Sequence, residues 1–320
     1  MVKSWQDMTE YLLDNTSDPF PRYILKRDIL NDPISDSELD AIHASKWYRQ
    51  LADEQWADGS WGRFHSMDSK SAHKLKFVTT ESALRRAHEL GLTKDDPMVA
   101  KCMALMERYV QGTETWRDTI EKHHDGGKSH LHCRPYLTAA QINLFDPENP
   151  VVKPRRDVFV RTLEIALAKG SFDEKAWEQE NRAYRGPCLN GWNAYPLMIM
   201  QNCDCLTDEL QRSYLAYIWN KQEGIYYISD FAPAEKRHLE DKKFTMWLSA
   251  LEILSGFSLF PELMADTGAY LVSEANRLIA DDVQLPAANP IFGHYSESWR
   301  DKDARKNDMI LRILRVLVKC

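Results

Sequence analysis

The sequence lacks the features that characterise membrane proteins, secreted proteins and nucleic-acid-binding proteins. Its longest apolar runs stay far below the ~18 residues of a membrane-spanning helix, and no apolar segment of a signal peptide follows Met1 to Asp7. A glycine-rich phosphate loop and a basic stripe are both missing, and the net charge of −7 argues against a nucleic-acid partner. These absences predict a soluble, cytoplasmic protein that neither spans a membrane nor binds nucleic acid.

Signs of disulfide bonds and of β-strands are also scarce. Six cysteines are scattered over 320 residues without a secretory context, so reduced thiols are expected at Cys102, Cys133, Cys188, Cys203, Cys205 and Cys320. Alternation of polar and apolar residues with a period of two is rare, whereas the helical period recurs throughout. The chain is long enough to bury a large core, and the pattern predicts that this core is entirely α-helical.

Two kinds of helical segment alternate along the chain. Six very apolar segments begin near Tyr23, Phe77, Tyr136, Trp192, Phe244 and Met309, and the differences between successive positions are 54, 59, 56, 52 and 65 residues. Six amphipathic segments alternate with them and begin near Trp5, Glu38, Met98, Asp157, Asp208 and Asp266. A repeat of about 55 residues indicates stacked helical hairpins. An open array would need polar repeats at its ends, but the last segment is among the most apolar, which favours a closed ring.

This pattern predicts the all-α fold class of an (α/α)6 toroid, in one domain over residues 1–320. The toroid is a barrel of six helical hairpins with an inner and an outer ring of helices. An outer helix over residues 38–54 is expected to have Ser37 as its N-cap. Asp308 is expected to cap the last inner helix, over residues 307–318, or to complement its dipole. Other inner helices are predicted over residues 75–90, 133–144 and 188–200.

An Asp-Gly turn between two tryptophans joins an outer to an inner helix, and this segment is called the QW turn (residues 55–62). It reads Gln55-Trp56-Ala57-Asp58-Gly59-Ser60-Trp61-Gly62. Asp-Gly supplies the positive φ of a tight turn, and the second tryptophan can pack back on its surroundings. The eight residues resemble the QW motif, Gln-x-x-Asp-Gly-Ser-Trp-Gly, of the squalene/hopene cyclase and protein prenyltransferase superfamily. The resemblance implies an α/α toroid, and weaker copies of the turn occur at residues 112–116, 170–172 and 223–226.

The same resemblance implies that a small hydrophobic ligand, such as an isoprenoid, binds in the barrel mouth and undergoes acid–base or electrophilic chemistry. The catalytic motifs of the superfamily are incomplete in this sequence. The Asp-x-Asp-Asp proton donor of class II terpene cyclases is missing, and Gly186 replaces the aspartate of a prenyltransferase Asp-x-Cys zinc motif that would end at Cys188. Two alternatives stay open: a non-catalytic toroid that binds a ligand or a protein, and a carbohydrate-active (α/α)6 hydrolase or lyase with paired carboxylates.

Reactive side chains concentrate in the segments that precede the predicted inner helices. In a toroid these segments share one end of the barrel, where a site can form. The candidate catalytic residues are His132, Cys188, Asp230 and His238. Aromatic residues on the inner helices could stabilise a cation or could fill the core. The candidate ligand-binding residues are Tyr23, His73, Arg134, Arg185, Trp192 and Trp247.

Metal-binding side chains are densest at His130, His132 and Cys133. Imidazole and sulfur ligands suit zinc, but the spacing matches no zinc motif, and exposed histidines beside a buried thiol are the alternative. We therefore predict no cofactor, with zinc at these three residues as the alternative. Cys188, at a helix start, is interpreted either as a nucleophile that a nearby histidine activates or as a small packed side chain.

Two acidic residues occupy unusual positions. Glu81 lies inside an apolar helix, where a carboxylate is either paired or functional, and Arg85, one turn later, is its expected partner. Asp204 lies between Cys203 and Cys205. Residues two apart do not share a helical face, so packing or exposure to solvent is expected for Asp204. The sequence does not indicate an oligomeric state.

Overall fold

The computed structural model of the protein describes residues 2–65, 76–116, 128–183, 189–281, 283–285 and 293–320. These residues form helices and turns without a β-strand, so the predicted all-α fold class is confirmed. No helix within them combines the length and apolar character needed to cross a lipid bilayer. A π-helical turn, Leu25–Ile29, continues the second helix. The α-helices are α1 (Trp5–Asn15), α2 (Pro19–Ile24), α3 (Asp36–Ala44), α4 (Lys46–Glu54), α5 (Thr80–Glu89), α6 (Pro97–Gln111), α7 (Lys128–Phe145), α8 (Lys153–Leu167), α9 (Glu174–Ala183), α10 (Ala194–Met200), α11 (Asp208–Trp219), α12 (Phe244–Leu254), α13 (Phe260–Leu263), α14 (Ala265–Ile279) and α15 (Lys302–Leu317).

The predicted helix over residues 38–54 is two helices, α3 and α4, and it begins earlier than expected. Ser35, rather than Ser37, is the N-cap: its hydroxyl accepts the N–H of Glu38, whose carboxylate accepts the N–H of Ser35 at 2.8 Å. This reciprocal capping box satisfies two backbone donors that a helix start leaves unpaired. Ser45 then breaks the helix, because its backbone is extended (ψ 152°) and its hydroxyl donates to the carbonyl of Ile42.

Four predicted inner helices begin at other residues than the apolar period indicated. Helix α5, expected from residue 75, starts at Thr80. Helix α7 starts at Lys128, five residues before position 133, and includes Pro135 in its interior. Helix α10 starts only at Ala194, where the side chain of Asn193 accepts the N–H of Tyr195. Helix α15 starts at Lys302 and is capped by Asp301. The prediction that Asp308 caps this last helix was therefore wrong, since Asp308 lies inside it.

Two helices, α9 and α13, had no counterpart in the sequence pattern. Helix α9 is mostly polar, and Trp177 is its one large apolar side chain, 2% exposed. Helix α13 has only four residues. Because a period of 3.6 residues needs several apolar positions to be recognised, neither helix produces a readable pattern.

The chain folds into two compact units, each built from segments that are distant in sequence. The terminal unit comprises Met1–Arg49, Gln222–Gly224 and Ile228–Cys320, and the central unit comprises Gln50–Lys221 and Ile225–Tyr227. In the terminal unit α15 packs against α1, α12 and α14. Its apolar side chains are buried around most of the helix, at Ile310, Leu311, Ile313, Leu314, Val316 and Leu317. The single toroid expected over residues 1–320 stays a prediction.

A buried aspartate in α15 holds the segment that precedes this helix. The carboxylate of Asp308 accepts the backbone N–H groups of Tyr295 and Ser296, at 3.0 and 3.1 Å, and the hydroxyl of Ser296 at 2.6 Å. Burial raises the pKa of Asp308 to about 6, against the opposing effects of these hydrogen bonds and of the Arg312 guanidinium. Ionisation of Asp308 is therefore unfavourable, because water cannot solvate the charge of its enclosed carboxylate.

The central unit is organised around α7, which packs against α5, α6 and α10. Its middle part is almost fully enclosed, with Thr138, Ala139, Ala140, Gln141, Ile142 and Asn143 all buried. Buried polar groups in such a helix need hydrogen-bond partners. Two of these side chains, Gln141 and Asn143, reach residues far along the chain, and each contributes to one of the two clusters described below.

Candidate active site

The QW turn fastens helices α4 and α6 to each other. The side-chain amide of Gln55 donates to the carbonyls of Gly59, at 3.0 Å, and Met98, at 2.8 Å, so the turn is fastened to the first turn of α6. The indole N–H of Trp61 donates to the carbonyl of Leu51 in α4, at 2.8 Å, and its ring is 1% exposed. Gly59 has a φ of +97°, a conformation that favours glycine. The motif thus acts as the helix joint that its sequence predicts.

The residues that directly follow the QW turn are hydrogen-bonded to the start of α5. The backbone N–H of Thr80 donates to the carbonyl of Arg63 at 2.8 Å, and that of Glu81 donates to the carbonyl of Phe64 at 3.1 Å. These bonds satisfy backbone donors at the first turn of α5, where a helix has no internal acceptors. They also fix the next residue, His65, beside the side chain of Glu81.

Glu81 is a buried carboxylate with three side-chain partners from three other segments. Its Oε2 lies 2.6 Å from Nδ1 of His65, three residues after the QW turn. Its Oε1 accepts the hydroxyl of Tyr195, in the first turn of α10, at 2.8 Å, and the amide of Gln141, in α7, at 3.2 Å. Charge-assisted hydrogen bonds of this kind offset the free-energy cost of burying a carboxylate. The four residues are called the Glu81 cluster.

The partner expected for Glu81 from the sequence was wrong. Arg85 is exposed one helical turn later, and the carboxylate turns instead to His65, Tyr195 and Gln141. Helical spacing reveals only neighbours on the same helix. A buried acid in an apolar helix was nevertheless a correct signal that the position carries a specific interaction.

The environment of the cluster keeps Tyr195 protonated. Burial raises the pKa of the Tyr195 hydroxyl well above its ordinary value, and the negative charge of Glu81 together with the hydrogen bond to it raises that pKa further. The hydroxyl is therefore a hydrogen-bond donor over the whole physiological pH range. A carboxylate at Nδ1 of His65 favours the tautomer that carries its proton on that nitrogen. This tautomer makes Nε2 the proton-accepting atom of the imidazole.

A strained tyrosine borders the cluster. The N–H of Tyr226 donates to the carbonyl of Trp192 at 2.9 Å, and this contact leads the chain over the start of α10. The next residue, Tyr227, has a φ of +76°, which is an outlier for a bulky side chain. Its exposed ring meets the rings of His65 and Tyr195 edge-on, with centroids 6.4 and 5.8 Å apart. Backbone strain of this kind occurs preferentially at functional sites.

Two further aromatic side chains, Phe64 and Trp116, are in contact next to His65. The ring of Phe64, the neighbour of His65, stacks on Trp116 with centroids 4.3 Å apart. The indole N–H of Trp116 donates to Thr138 of α7, and the guanidinium of Arg134 lies over its ring at 5.3 Å. Arg134, a predicted ligand-binding residue, thus contacts Trp116, and Trp116 stacks on the neighbour of His65.

The predicted catalytic residues do not belong to the Glu81 cluster. His132 is exposed on α7. Asp230 is exposed and pairs with Lys243 at 2.9 Å, which lowers the pKa of its carboxyl group. His238 is exposed, and its Nδ1 lies 2.9 Å from the hydroxyl of Tyr270. Cys188 lies outside the described residues, so its two interpretations stay predictions.

The predicted ligand-binding residues have diverse environments. Trp247 is completely buried and donates to the carbonyl of Pro233, and Tyr23 is buried with the Arg27 guanidinium 4.9 Å from its ring centre. Both side chains are therefore packed in the terminal unit. Trp192 is half-buried, lies under the ammonium of Lys221, and lines a cavity of about 230 Å³. The two remaining candidates, His73 and Arg185, lie outside the described residues.

The predicted zinc ligands lie within α7 rather than in a loop. Positions 130 and 132 are two apart on this helix, and residues so spaced do not share a face. Within the described ranges, no three His, Cys, Asp or Glu side chains come close enough to hold a metal ion. The side chain of His130 lies outside the described part of the structure, so zinc binding by His130, His132 and Cys133 stays a prediction.

Sequence reasoning did not identify His65 and Tyr195 as partners of Glu81. A usable signal was the position of His65, three residues after Gly62, which ends the QW turn.

No protein-family model, no curated protein and no solved structure matches this chain.

Proposed function

We propose that the protein is an acid–base enzyme in which His65 exchanges a proton with a small ligand. Glu81 orients the imidazole, and Tyr195 donates a hydrogen bond to the same carboxylate. The convergence of an imidazole and a phenol on one buried carboxylate is the observation that supports this function. In such an arrangement the carboxylate also stabilises the imidazolium that forms when His65 accepts a proton.

A structural role alone would not require this choice of partners. Backbone amides or neutral amide side chains, such as that of Gln141, satisfy a buried carboxylate without introducing a second titratable group. Here two of the three partners can transfer protons, and the side chain of His65 is 25% exposed and therefore accessible. The strained backbone of Tyr227 beside the imidazole supports the same interpretation.

The surroundings of His65 favour a small, largely hydrophobic ligand of isoprenoid type. The rings of Tyr195 and Tyr227 flank the imidazole, and Phe64 connects it to Trp116. Aromatic faces bind apolar groups and can stabilise positive charge that develops during a reaction. The guanidinium of Arg134, stacked on Trp116, is suited to an anionic end of the ligand.

The proposal extends to the architecture and the cofactor. We propose that the helices form the closed (α/α)6 ring of the terpenoid cyclase and prenyltransferase superfamily and that the protein acts in the cytoplasm. Proton transfer by His65 requires no cofactor, and zinc at His130, His132 and Cys133 is the alternative. The QW turn supports the likeness, because its glutamine and second tryptophan make the joint contacts that the motif implies.

The function can be tested by following proton exchange in candidate ligands. Isoprenoid alcohols, aldehydes and diphosphates are incubated with the full-length protein in deuterated buffer, and products and deuterium incorporation are measured by mass spectrometry. Replacement of His65 by Asn is expected to reduce turnover by about 100-fold or more, with ligand affinity largely retained. Tyr195→Phe keeps the ring but removes the hydroxyl and is expected to have a smaller effect.

The matched control is His43→Asn, which changes an exposed histidine of α3 and should leave turnover unchanged. Equal turnover by the wild type and His65→Asn would overturn the proposal. Ligand binding without turnover or deuterium exchange would identify a non-catalytic binding protein instead. If oligosaccharides are added to the same panel and only they are turned over, the carbohydrate-active alternative is favoured.

A further inference from the structure

Two cysteines approach each other directly after α10. Sγ of Cys203 and Sγ of Cys205 lie 2.8 Å apart, and both face the carbonyl of Met200, at 3.3 and 3.5 Å. Asn202, with a φ of +57°, turns the chain back at the helix end. A disulfide bond places two sulfur atoms about 2.05 Å apart. A relative movement of less than about 1 Å would therefore join Cys203 to Cys205.

The end of α10, next to the two thiols, is held by buried side chains. Asn143 of α7 donates to the carbonyls of Met198 and Gln201, at 2.7 and 3.1 Å. Arg156 of α8 donates to the carbonyl of Ile199 at 2.9 Å and to the side-chain oxygen of Asn143 at 2.6 Å. Arg156 is 7% exposed. Its charge therefore acts in an environment that is poorly screened by water.

The two sulfur atoms differ in their proton affinity. The hydrogen bond between the two thiols lowers the pKa of Cys203 below its ordinary value, and the positive charge of Arg156 contributes to this shift. The same hydrogen bond raises the pKa of Cys205, and burial raises it further. At neutral pH Cys203 thus has a larger thiolate fraction than an ordinary cysteine, and its neighbour is a protonated thiol. A thiolate is the reactive form of cysteine in disulfide exchange.

Accessibility and thiol pKa together distinguish the pair from two other cysteines of the chain. Cys203 and Cys205 are half-buried, so a small reagent can reach them. Cys102 is fully enclosed, and burial raises the pKa of its thiol. Cys320 is exposed, but partial burial of its sulfur raises the pKa of this thiol to about 11.

We propose that Cys203 and Cys205 form a redox-active dithiol that exchanges with small disulfides such as oxidised glutathione. The Cys203 thiolate attacks one sulfur of the small disulfide, whose S–S bond breaks and releases one thiolate. Cys205 then gives up its proton and attacks the sulfur of Cys203, which releases the second thiolate. The two cysteines are oxidised by two electrons, and one small disulfide is reduced to two thiols, which take up the two protons.

This redox site is independent of the acid–base function proposed for the Glu81 cluster. It can be tested on the full-length protein, which is equilibrated at pH 7 in graded mixtures of reduced and oxidised glutathione. Free thiols are then trapped with N-ethylmaleimide, and the peptides are analysed by mass spectrometry. The peptide with Cys203 and Cys205 is expected to lose both alkylation sites and two hydrogen atoms as the mixture becomes more oxidising.

Variants of the pair separate the two chemical steps. Cys205→Ser is expected to stop at a mixed disulfide between Cys203 and one glutathione, because the resolving thiol is missing. Cys320→Ser is the matched control and should still form the internal disulfide. In the wild type the pH midpoint of the alkylation rate of Cys203 should lie below the ordinary value of about 8.5, and in Cys205→Ala, which has no hydrogen-bond donor at this position, the midpoint should rise towards that value.

Two results would overturn the proposal. One is that both cysteines stay open to alkylation in all mixtures while the fold, measured by circular dichroism, is intact. The other is that the wild type accumulates the mixed disulfide without resolving it. Because no ligand turnover enters this experiment, its failure would leave the proposed acid–base function standing, and the reverse also holds.

Discussion

At the scale of single residues, Asp308 shows how burial alters the chemistry of an ordinary acid. Its carboxyl group is enclosed in α15, and burial raises its pKa to about 6 despite three hydrogen-bond donors. In an unfolded chain the same group titrates near the ordinary value of 3.8. The folded state therefore binds this proton more tightly than the unfolded state does.

Asp308→Asn should alter the pH dependence of stability in a defined direction. The raised pKa contributes stability that is fully present below about pH 4 and is lost as the pH rises through about 6. The free energy of unfolding of the wild type, relative to that of Asp308→Asn, should therefore fall by at most about 1.4 kcal/mol per pH unit in this window. Urea unfolding of both proteins between pH 4 and 7 measures this difference. A difference that is constant with pH would contradict the raised pKa.

At the scale of the elements, the QW turn depends on the absence of a side chain at Gly59. A β-carbon at this position would lie 2.7 Å from the carbonyl oxygen of Lys101, which belongs to the backbone of α6 and cannot move aside easily. Gly112, the C-cap residue of α6, also has a positive φ, of +75°. A β-carbon at this position would meet no other atom within 4 Å. A comparison of the two positions therefore separates the cost of backbone strain from the cost of a steric clash.

The two alanine substitutions should differ clearly in stability. Gly112→Ala is expected to lower the free energy of unfolding by about 1–2 kcal/mol, the cost of a left-handed conformation. Gly59→Ala adds a backbone clash and should cost on the order of 3–4 kcal/mol. Chemical denaturation of both variants gives the comparison. Equal losses in the free energy of unfolding would mean that the turn can move away from α6 at no cost in stability.

Periodicity located the helices but not all of their first residues or the partners of Glu81. A repeating apolar face is local information, so all twelve predicted segments overlap with helices. The start of α10 depends on Asn193 and on the backbone contact between Trp192 and Tyr226, which is made by a distant segment. The same reason explains why Arg85 was expected beside Glu81. A local period reveals neighbours along one helix and contains no information about which other segments pack against it.

At the scale of the whole molecule, the two compact units should respond differently to a local change. If each unit opens as a cooperative block, Gly59→Ala should reduce the amide protection of α5 and α6 in the central unit. The protection of α14 and α15 in the terminal unit should change much less. Native-state hydrogen exchange followed by mass spectrometry resolves these helices. An equal loss of protection in both units would show that the chain opens as one block.

The connection from the QW turn to α5 also has a consequence for the order in which contacts form. His65 and Glu81 are 16 residues apart, whereas Tyr195 is 114 residues from Glu81. Loop-closure entropy grows with the logarithm of this separation, so the contact with Tyr195 costs about 1.7 kcal/mol more to close. The pair of imidazole and carboxylate is therefore the contact with the lower entropic cost. The phenol completes the site only when the far larger loop has closed.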